Sequence, residues 1–185
     1  MSIRHGLLAL LDHGPRYGSR LRSEFEARTG TTWPLNVGQV YTTLGRLERD
    51  GMVEQRGTDA SGRILYALTD AGRAELRDWF ERPVDRESPP RDELAIKLVM
   101  AMGVPGVDIR AVIEGQRQHV LEILREHTRQ RTRAMAAGSS HRDEVARLLV
   151  LEQLVFRAEA EVRWLDHCES RLVREAEAAA TDPPA

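Results

Sequence analysis

Apolar residues recur at helical spacing through most of the chain. A first predicted helix, SIRHGLLALLDHGP, ends at Gly14, and a second, RYGSRLRSEFEARTG, ends at its own glycine. A third lies in NVGQVYTTLGRLERDG, where Asn36 suits the N-cap and Gln39 completes a capping-box pattern. Val40 and Leu44 lie on its apolar stripe. The first 50 residues are therefore predicted to form three short helices.

The period of the pattern then changes from helical to alternating. MVEQR is strand-like, GTDASG is a turn cluster, and RILYAL places Ile64, Tyr66 and Leu68 on one side. Thr69 suits the N-cap of a fourth helix, TDAGRAELRDWFER. The predicted order is three helices, a hairpin and a helix within residues 1–82.

The prolines of RPVDRESPPRD interrupt the pattern and predict a linker over residues 83–91. A helical domain follows over residues 92–178, and residues 179–185 are predicted to be a frayed tail. The last helix is expected from about Asp143 to Glu177. Its apolar steps alternate three and four, which is typical of a coiled-coil seam, in the series Leu148, Leu151, Val155, Ala158, Val162, Leu165, Glu169 and Leu172. A second stripe beside it contains Val145, Leu149 and Phe156.

The composition is that of an ordinary globular protein. The chain has 185 residues, a net charge of -2 and 41% hydrophobic residues. No apolar run approaches the roughly 18 residues of a membrane span, so no membrane partner is expected. Cys168 is the only cysteine and excludes an intrachain disulfide. These features favour the cytoplasm, and the near balance of charge in the first half does not by itself predict nucleic-acid binding.

Three helices followed by a hairpin are the order of a winged helix-turn-helix. The predicted fold class is mainly α, with this unit followed by an all-helical dimerisation domain. In that architecture the third helix enters the DNA major groove, and its exposed face suits that role. Gln39 can pair with adenine, Thr42 and Thr43 can meet thymine methyls or phosphates, and Arg46 can pair with guanine or a phosphate. Helix spacing alone fits a merely solvated face equally well.

Three stretches resemble the PadR family of bacterial transcriptional regulators. They are YGSRL, PLNVGQVYTTLGRLERDGMVEQ and RILYALTDAGR, which contain Tyr17-Gly18, the segment from Tyr41 to Glu48 and the segment from Tyr66 to Gly72. The resemblance covers roughly residues 5–80. The second half resembles the larger PadR subgroup in its helical layout and in the WLD of the last helix.

The resemblance implies a DNA-binding regulator, a homodimeric repressor that binds a pseudo-palindromic operator in double-stranded DNA. The candidate DNA-binding residues are Tyr17, Asn36, Gln39, Tyr41, Thr42, Thr43, Arg46 and Arg63. For Tyr17 and Tyr41, core packing and a hydroxyl contact to phosphate both remain open. The family's hairpin is often longer and more basic, and Asp59 is expected to be repelled by DNA here.

The resemblance also implies a dimer made by the C-terminal helices and a small apolar or aromatic effector. The candidate dimer residues are Leu7, Leu8, Leu148, Leu151, Val155, Val162 and Leu165. The candidate effector residues are Trp79, Phe80 and Trp164. Release of the DNA by this effector is the expected mode of regulation.

Two other functional classes compete with this interpretation. One is a winged-helix protein-interaction module that does not itself bind DNA. The other is an enzyme, for which the sequence contains no supporting motif. His119, His127, His141 and His167 lack metal-ligand spacing, and no Cys-x-x-Cys occurs. We therefore expect no catalytic site, no metal and no cofactor.

Overall fold

The computed structural model describes residues 3–29, 32–84, 92–136 and 142–181. Its elements, in chain order, are α1 (Ile3–Leu11), α2 (Gly18–Arg28), α3 (Val37–Arg49), β1 (Val53–Thr58), β2 (Ile64–Leu68), α4 (Asp70–Glu81), α5 (Glu93–Ala101), α6 (Ile109–Ala136) and α7 (Arg142–Thr181). The order of helices and hairpin confirms the predicted fold class. Most of the predicted linker lies outside the described residues, and α7 continues past residue 179, where a frayed tail was expected.

Contacts between Cα atoms divide the chain into two units. The N-terminal unit contains Met1–Arg86 with Arg142–Arg147, and the C-terminal unit contains Glu87–His141 with Leu148–Ala185. The core of the N-terminal unit is made by the apolar stripes of its first three helices, which pack against the hairpin and α4. Its fully buried side chains are Leu7, Leu8, Leu21, Val40, Leu44 and Leu47. This core holds α3 by one face and leaves the opposite face exposed.

Side-chain caps fix the starts of α3 and α4. The Asn36 side chain accepts a hydrogen bond from the backbone N–H of Gly38 at 2.8 Å. This bond reaches the second helical residue, whereas the capping-box pattern predicts the third, Gln39. Thr69 Oγ1 accepts from the N–H of Gly72 at 3.1 Å and donates to the carbonyl oxygen of Gly51 at 2.8 Å. That second bond ties the end of the hairpin to the end of α3.

The hairpin is antiparallel and irregular near its turn. Val53 pairs with Leu68 and Gln55 with Tyr66, but the register shifts before Thr58 meets Ile64. Tyr66 and Leu68 are buried, whereas Ile64, which the alternating pattern places on the same side, is exposed at the turn end of the irregular ladder.

The C-terminal unit combines a small apolar core with a polar layer. Leu98 of α5, Ile113 of α6 and Leu165 of α7 meet in that core. Arg117 of α6 pairs with Glu169 of α7 and also with Asp166, whose Oδ1 accepts from Nε at 3.0 Å. Glu169 thus interrupts the apolar seam of α7 where the neighbouring helix places Arg117, and Leu172 beyond it packs against the core again.

Candidate nucleic-acid interface

The exposed face of α3 begins at its first turn. Val37, Gly38, Gln39 and Thr42 are all exposed, although the opposite stripe of the same helix is fully buried. The hydroxyl of Thr43 donates to the carbonyl oxygen of Gln39 at 2.7 Å, so its hydrogen is already used within the helix. This face therefore presents small side chains, the amide of Gln39 and the methyl groups of Val37 and Thr42, on a helix whose opposite side is packed in the core. Such a surface can approach base edges closely.

Arg46 differs from two other arginines of the N-terminal unit, Arg20 and Arg56. Arg20 pairs with Glu24 at 2.7 Å, and Arg56 pairs with Glu54 at 2.7 Å. Arg46 is exposed, and within the described ranges no carboxylate pairs with it. Its guanidinium is therefore available to a phosphate or to the edge of a guanine.

The two candidate tyrosines flank α3 in different ways. The Tyr41 side chain is 43% exposed, and its ring lies over Gly18. A Cβ on Gly18 would come within 2.8 Å of two ring carbons of Tyr41, so the Tyr-Gly pair of the sequence makes room for that ring. Tyr41 is therefore not a pure core residue. Tyr17 precedes α2 and is half-buried, and the guanidinium carbon of Arg63 lies 3.7 Å from its ring centroid.

The turn of the hairpin, residues 59–63, is organised by Asp59. Its carboxylate accepts from Arg63 Nε at 2.7 Å and from the backbone N–H of Ser61 at 2.9 Å. Hydrogen bonds from Arg63 hold the pKa of the Asp59 carboxyl below its usual value. The sequence predicted Asp59 only as a source of repulsion, and the structure shows it as the partner of Arg63. We call residues 53–68 the wing.

Sequence analysis missed one residue of the α3 surface. Val37 is 38% exposed at the start of the helix, beside the Asn36 cap. An exposed apolar side chain there can contact the methyl group of thymine. Helical spacing gave no signal of this exposure, because Val37 lies three residues before Val40, in line with the stripe of Val40, Leu44 and Leu47.

The candidate dimer residues are largely covered within one chain. Leu7 and Leu8 have no exposed surface, because both lie in the core of the N-terminal unit. Leu151, Val155 and Leu165 are also buried, whereas Leu148 and Val162 are half-buried. The five buried side chains leave little surface for a partner, which argues against their predicted role in the dimer. Leu148 and Val162 keep part of their surface and remain predicted dimer contacts. The second stripe of α7 is the exposed one, with Val145, Leu149 and Phe156.

The three candidate effector residues belong to two different units. Trp164 lines a cavity of about 500 Å³ in the C-terminal unit, together with residues of α5, α6 and α7. Trp79 instead stacks on His5 at 5.0 Å between ring centroids, and Phe80 is an exposed neighbour of Trp79. The cavity wall is mostly apolar, with His167, Arg171, Glu175 and Cys168 as its polar lining, and burial raises the pKa of the Cys168 thiol.

The described residues contain no group of three or more His, Cys, Asp or Glu side chains arranged to hold a metal ion. His141 lies outside these residues. Within the same part of the chain, no helix has the length and apolar character that crossing a membrane requires.

Comparison with known proteins assigns both halves of the chain. Residues 7–78 match the transcriptional regulator PadR-like family, and residues 90–173 match the virulence activator alpha C-terminal domain. The negative transcriptional regulator PadR of Bacillus subtilis is 30% identical over 98 residues, 51% of this chain and 54% of that protein. A probable transcriptional regulator of Mycobacterium tuberculosis is 31% identical over 94 residues, 49% of this chain and 50% of that protein. The chain thus spans about half the length of the curated relatives it matches.

Solved structures share the fold over nearly the whole chain. The crystal structure of Bacillus subtilis PadR in complex with operator DNA has a TM-score of 0.69 at 24% identity, covering 91% of this chain and 97% of that one. The same protein in complex with p-coumaric acid has a TM-score of 0.71 at 24% identity, with the same coverage. The Vibrio cholerae virulence activator AphA has a TM-score of 0.68 at 23% identity, covering 94% and 99%.

The two family matches fit the structure element by element. The first takes in α1 to α4 with the wing, and the second takes in α5, α6 and most of α7. Transcriptional regulators are a non-enzymatic class, which argues against the enzyme alternative. Residues 7–78 thus form a domain of the PadR-like family of transcriptional regulators, and residues 90–173 form a C-terminal domain of the virulence activator alpha type.

Proposed function

We propose that this chain is a repressor that binds a pseudo-palindromic operator as a homodimer and is released by a small apolar or aromatic effector. The observation that supports DNA binding best is the exposed face of α3. It combines Val37, Gln39 and Thr42 with Arg46, which no carboxylate of the described residues pairs with, on a helix whose other face is fully buried. A face that contacts only solvent would be more stable with strong helix-forming residues, whereas this face contains Gly38 and Thr42.

In this proposal α3 enters the major groove by its N-terminal part. Gln39 and Arg46 contact base edges, and Val37 and Thr42 contact thymine methyls. The positive end of the helix dipole favours a phosphate near Asn36. In the same proposal the hydroxyl groups of Tyr41 and Tyr17 contact the backbone of the DNA.

Exposed apolar surface in the described chain supports the homodimer. On α7, Leu149 is 62% exposed and Phe156 is 63% exposed, one heptad apart. The short helix α5 is strongly apolar, and its side chains Ile96, Val99 and Met100 are also exposed within one chain. Burying each such side chain contributes about 1.5–3 kcal/mol, so a second copy of the chain gains by covering them. Two α3 helices about 34 Å apart then match half-sites one helical turn apart.

Arg46→Ala is expected to weaken binding to the operator by about 1–3 kcal/mol and to relax the preference at one base pair. Fluorescence anisotropy with operator and scrambled duplexes measures both effects. Equal losses on both duplexes indicate a phosphate contact instead. Arg77→Ala on α4 is the matched control, because Arg77 is also exposed and should change affinity little. Unchanged affinity of Arg46→Ala for both duplexes would remove Arg46 from the interface.

Steric exclusion at a promoter is the simplest route from this binding to repression. If the folded wild type binds no duplex DNA even at low salt, the protein-interaction module replaces the repressor as the better proposal. Salt dependence provides a second check, because each phosphate neutralised contributes about -0.9 to the slope of log affinity against log salt.

The cavity beside Trp164 is the proposed effector site. Its volume of about 500 Å³ and apolar wall suit a small aromatic molecule, and Arg171 lines it as a cation for an acidic group. p-Coumaric acid, which Bacillus subtilis PadR binds in a solved structure, is the first probe.

Ala95→Phe is expected to fill part of this cavity and weaken binding of p-coumaric acid at least about tenfold, since single groups in apolar pockets have effects of that size. Isothermal titration calorimetry measures the affinity directly. Phe80→Ala, in the N-terminal unit, serves as the control and should leave binding unchanged. Equal affinity in Ala95→Phe and wild type would exclude this cavity as the site.

A further inference from the structure

The turn of the wing is built around one carboxylate. Asp59 Oδ1 accepts from the backbone N–H groups of Ser61 and Arg63, both at 2.9 Å. Asp59 Oδ2 accepts from Arg63 Nε at 2.7 Å and lies 2.6 Å from Nη2 of the same guanidinium. The side chain of Asp59 is only 18% exposed, so these donors largely enclose it. Asp59 Oδ1 thus binds the backbone of the turn, and Asp59 Oδ2 binds the guanidinium of Arg63.

The Arg63 guanidinium is also held on its flat face. Its central carbon lies 3.7 Å from the ring centroid of Tyr17, in the geometry of a cation–π contact. Backbone hydrogen bonds between Arg16 and Tyr66, at 3.0 and 2.9 Å, hold the Tyr17 segment against β2. Arg63 is therefore fixed by a carboxylate at its edge and by an aromatic ring beneath it, and its charge is neutralised within the wing.

We propose that Asp59 is an internal counter-ion that competes with DNA phosphate for Arg63 and thereby limits the affinity of this chain for DNA of any sequence. This inference rests on the proposed DNA-binding function. A phosphate that approaches Arg63 must displace the Asp59 carboxylate, which is bound by two nitrogens of the guanidinium. The phosphate is also repelled by the negative charge of Asp59. The wing then adds little non-specific electrostatic affinity, and discrimination depends on α3.

Asp59→Asn tests this directly, because asparagine retains the Oδ1 acceptor of the turn but removes the charge. Binding of the full chain to a random-sequence duplex is measured by fluorescence anisotropy at salt concentrations from about 50 to about 300 mM. The variant should bind about tenfold tighter per wing near 0.1 M salt. Its log–log salt slope should steepen by about 0.9 for each wing that gains a phosphate contact.

Two further variants show whether the gain acts through Arg63. In wild type, Arg63→Ala should change affinity little, because the charge it removes is already neutralised. Adding Arg63→Ala to Asp59→Asn should abolish the gain. Asp70→Asn is the control for net charge, since Asp70 pairs with Arg73 at 3.4 Å at the start of α4, beyond the end of β2 that is opposite to the turn of the wing. It should alter affinity far less than Asp59→Asn.

The outcomes separate this inference from the proposed function. If wild type binds DNA and a folded Asp59→Asn variant binds no tighter, the counter-ion role is wrong and DNA binding stands. A gain that persists without Arg63 also overturns it. If neither protein binds DNA, both proposals fail. The pair itself is checked without DNA by NMR, where the Arg63 Nε–H signal should exchange with water faster in Asp59→Asn; an unchanged rate contradicts the pair.

Discussion

Gly72→Ala is expected to unfold the N-terminal unit or to lower its melting temperature by about 10 °C or more. A Cβ at this position would lie 2.1 Å from the carbonyl oxygen of Met52 and 2.7 Å from Leu68 Cδ1. The first neighbour is backbone, which also accepts the N–H of Thr69 at 3.1 Å, so it cannot move without breaking the junction of hairpin and α4. Overpacking typically costs about 1–3 kcal/mol, and 1 kcal/mol shifts the melting temperature of a domain this size by roughly 4–8 °C.

Gly45→Ala is the matched control for this change. Gly45 is a helical glycine on the exposed face of α3, and a Cβ there meets nothing within 4 Å. Alanine should therefore stabilise the unit by up to about 1 kcal/mol through helix propensity. Thermal unfolding followed by circular dichroism compares the two variants. A Gly72→Ala protein as stable as Gly45→Ala would contradict the close contact between α4 and the hairpin.

Leu149→Glu with Phe156→Glu is expected to separate the homodimer while each chain stays folded. Both side chains project from α7 into solvent within one chain, so their replacement leaves the described core intact. Two charges on the proposed interface should dissociate the dimer, because a buried unpaired carboxylate is strongly unfavourable. Loss of the second DNA-binding unit should then weaken operator binding by about 10²–10⁴-fold, the usual gain from bivalent attachment.

Sedimentation equilibrium at micromolar concentration measures the assembly state against the chain mass of 20.9 kDa. Ala111→Glu with Gly115→Glu is the control, since it adds the same charge on an exposed polar face of α6. Leu165→Glu differs from both, because Leu165 has no exposed surface and its replacement should unfold the C-terminal unit. A wild type that sediments as a monomer would contradict the homodimer.

Local patterns predicted the N-terminal unit well, because each of its signals acts within a few residues. The spacing of Val40, Leu44 and Leu47 specified the buried face of α3, and the Thr69 cap specified the start of α4. The Tyr-Gly pair was recognised as a motif, but its cause lies 23 residues away, where the ring of Tyr41 occupies the space of a Gly18 side chain. Such a contact has no periodic signature.

Periodicity was less informative for α7. It identified Leu151, Val155 and Leu165 as one apolar stripe, but it does not specify whether the same chain or a second copy covers that stripe. The structure buries them within one chain. Asp59 shows a similar limit, because a charge count treats it as repulsive to DNA, whereas its effect depends on the position of Arg63.

Selection of bound sequences from a random duplex library tests the central proposal, that α3 recognises DNA in a two-fold arrangement. We expect the wild type to enrich an inverted repeat whose half-site centres lie about one helical turn, roughly 10 base pairs, apart. The Gln39→Ala, Arg46→Ala double variant should lose preference at the base pairs that those two side chains contact. No enrichment by the folded wild type, or the same motif enriched equally by the double variant, would contradict the proposal.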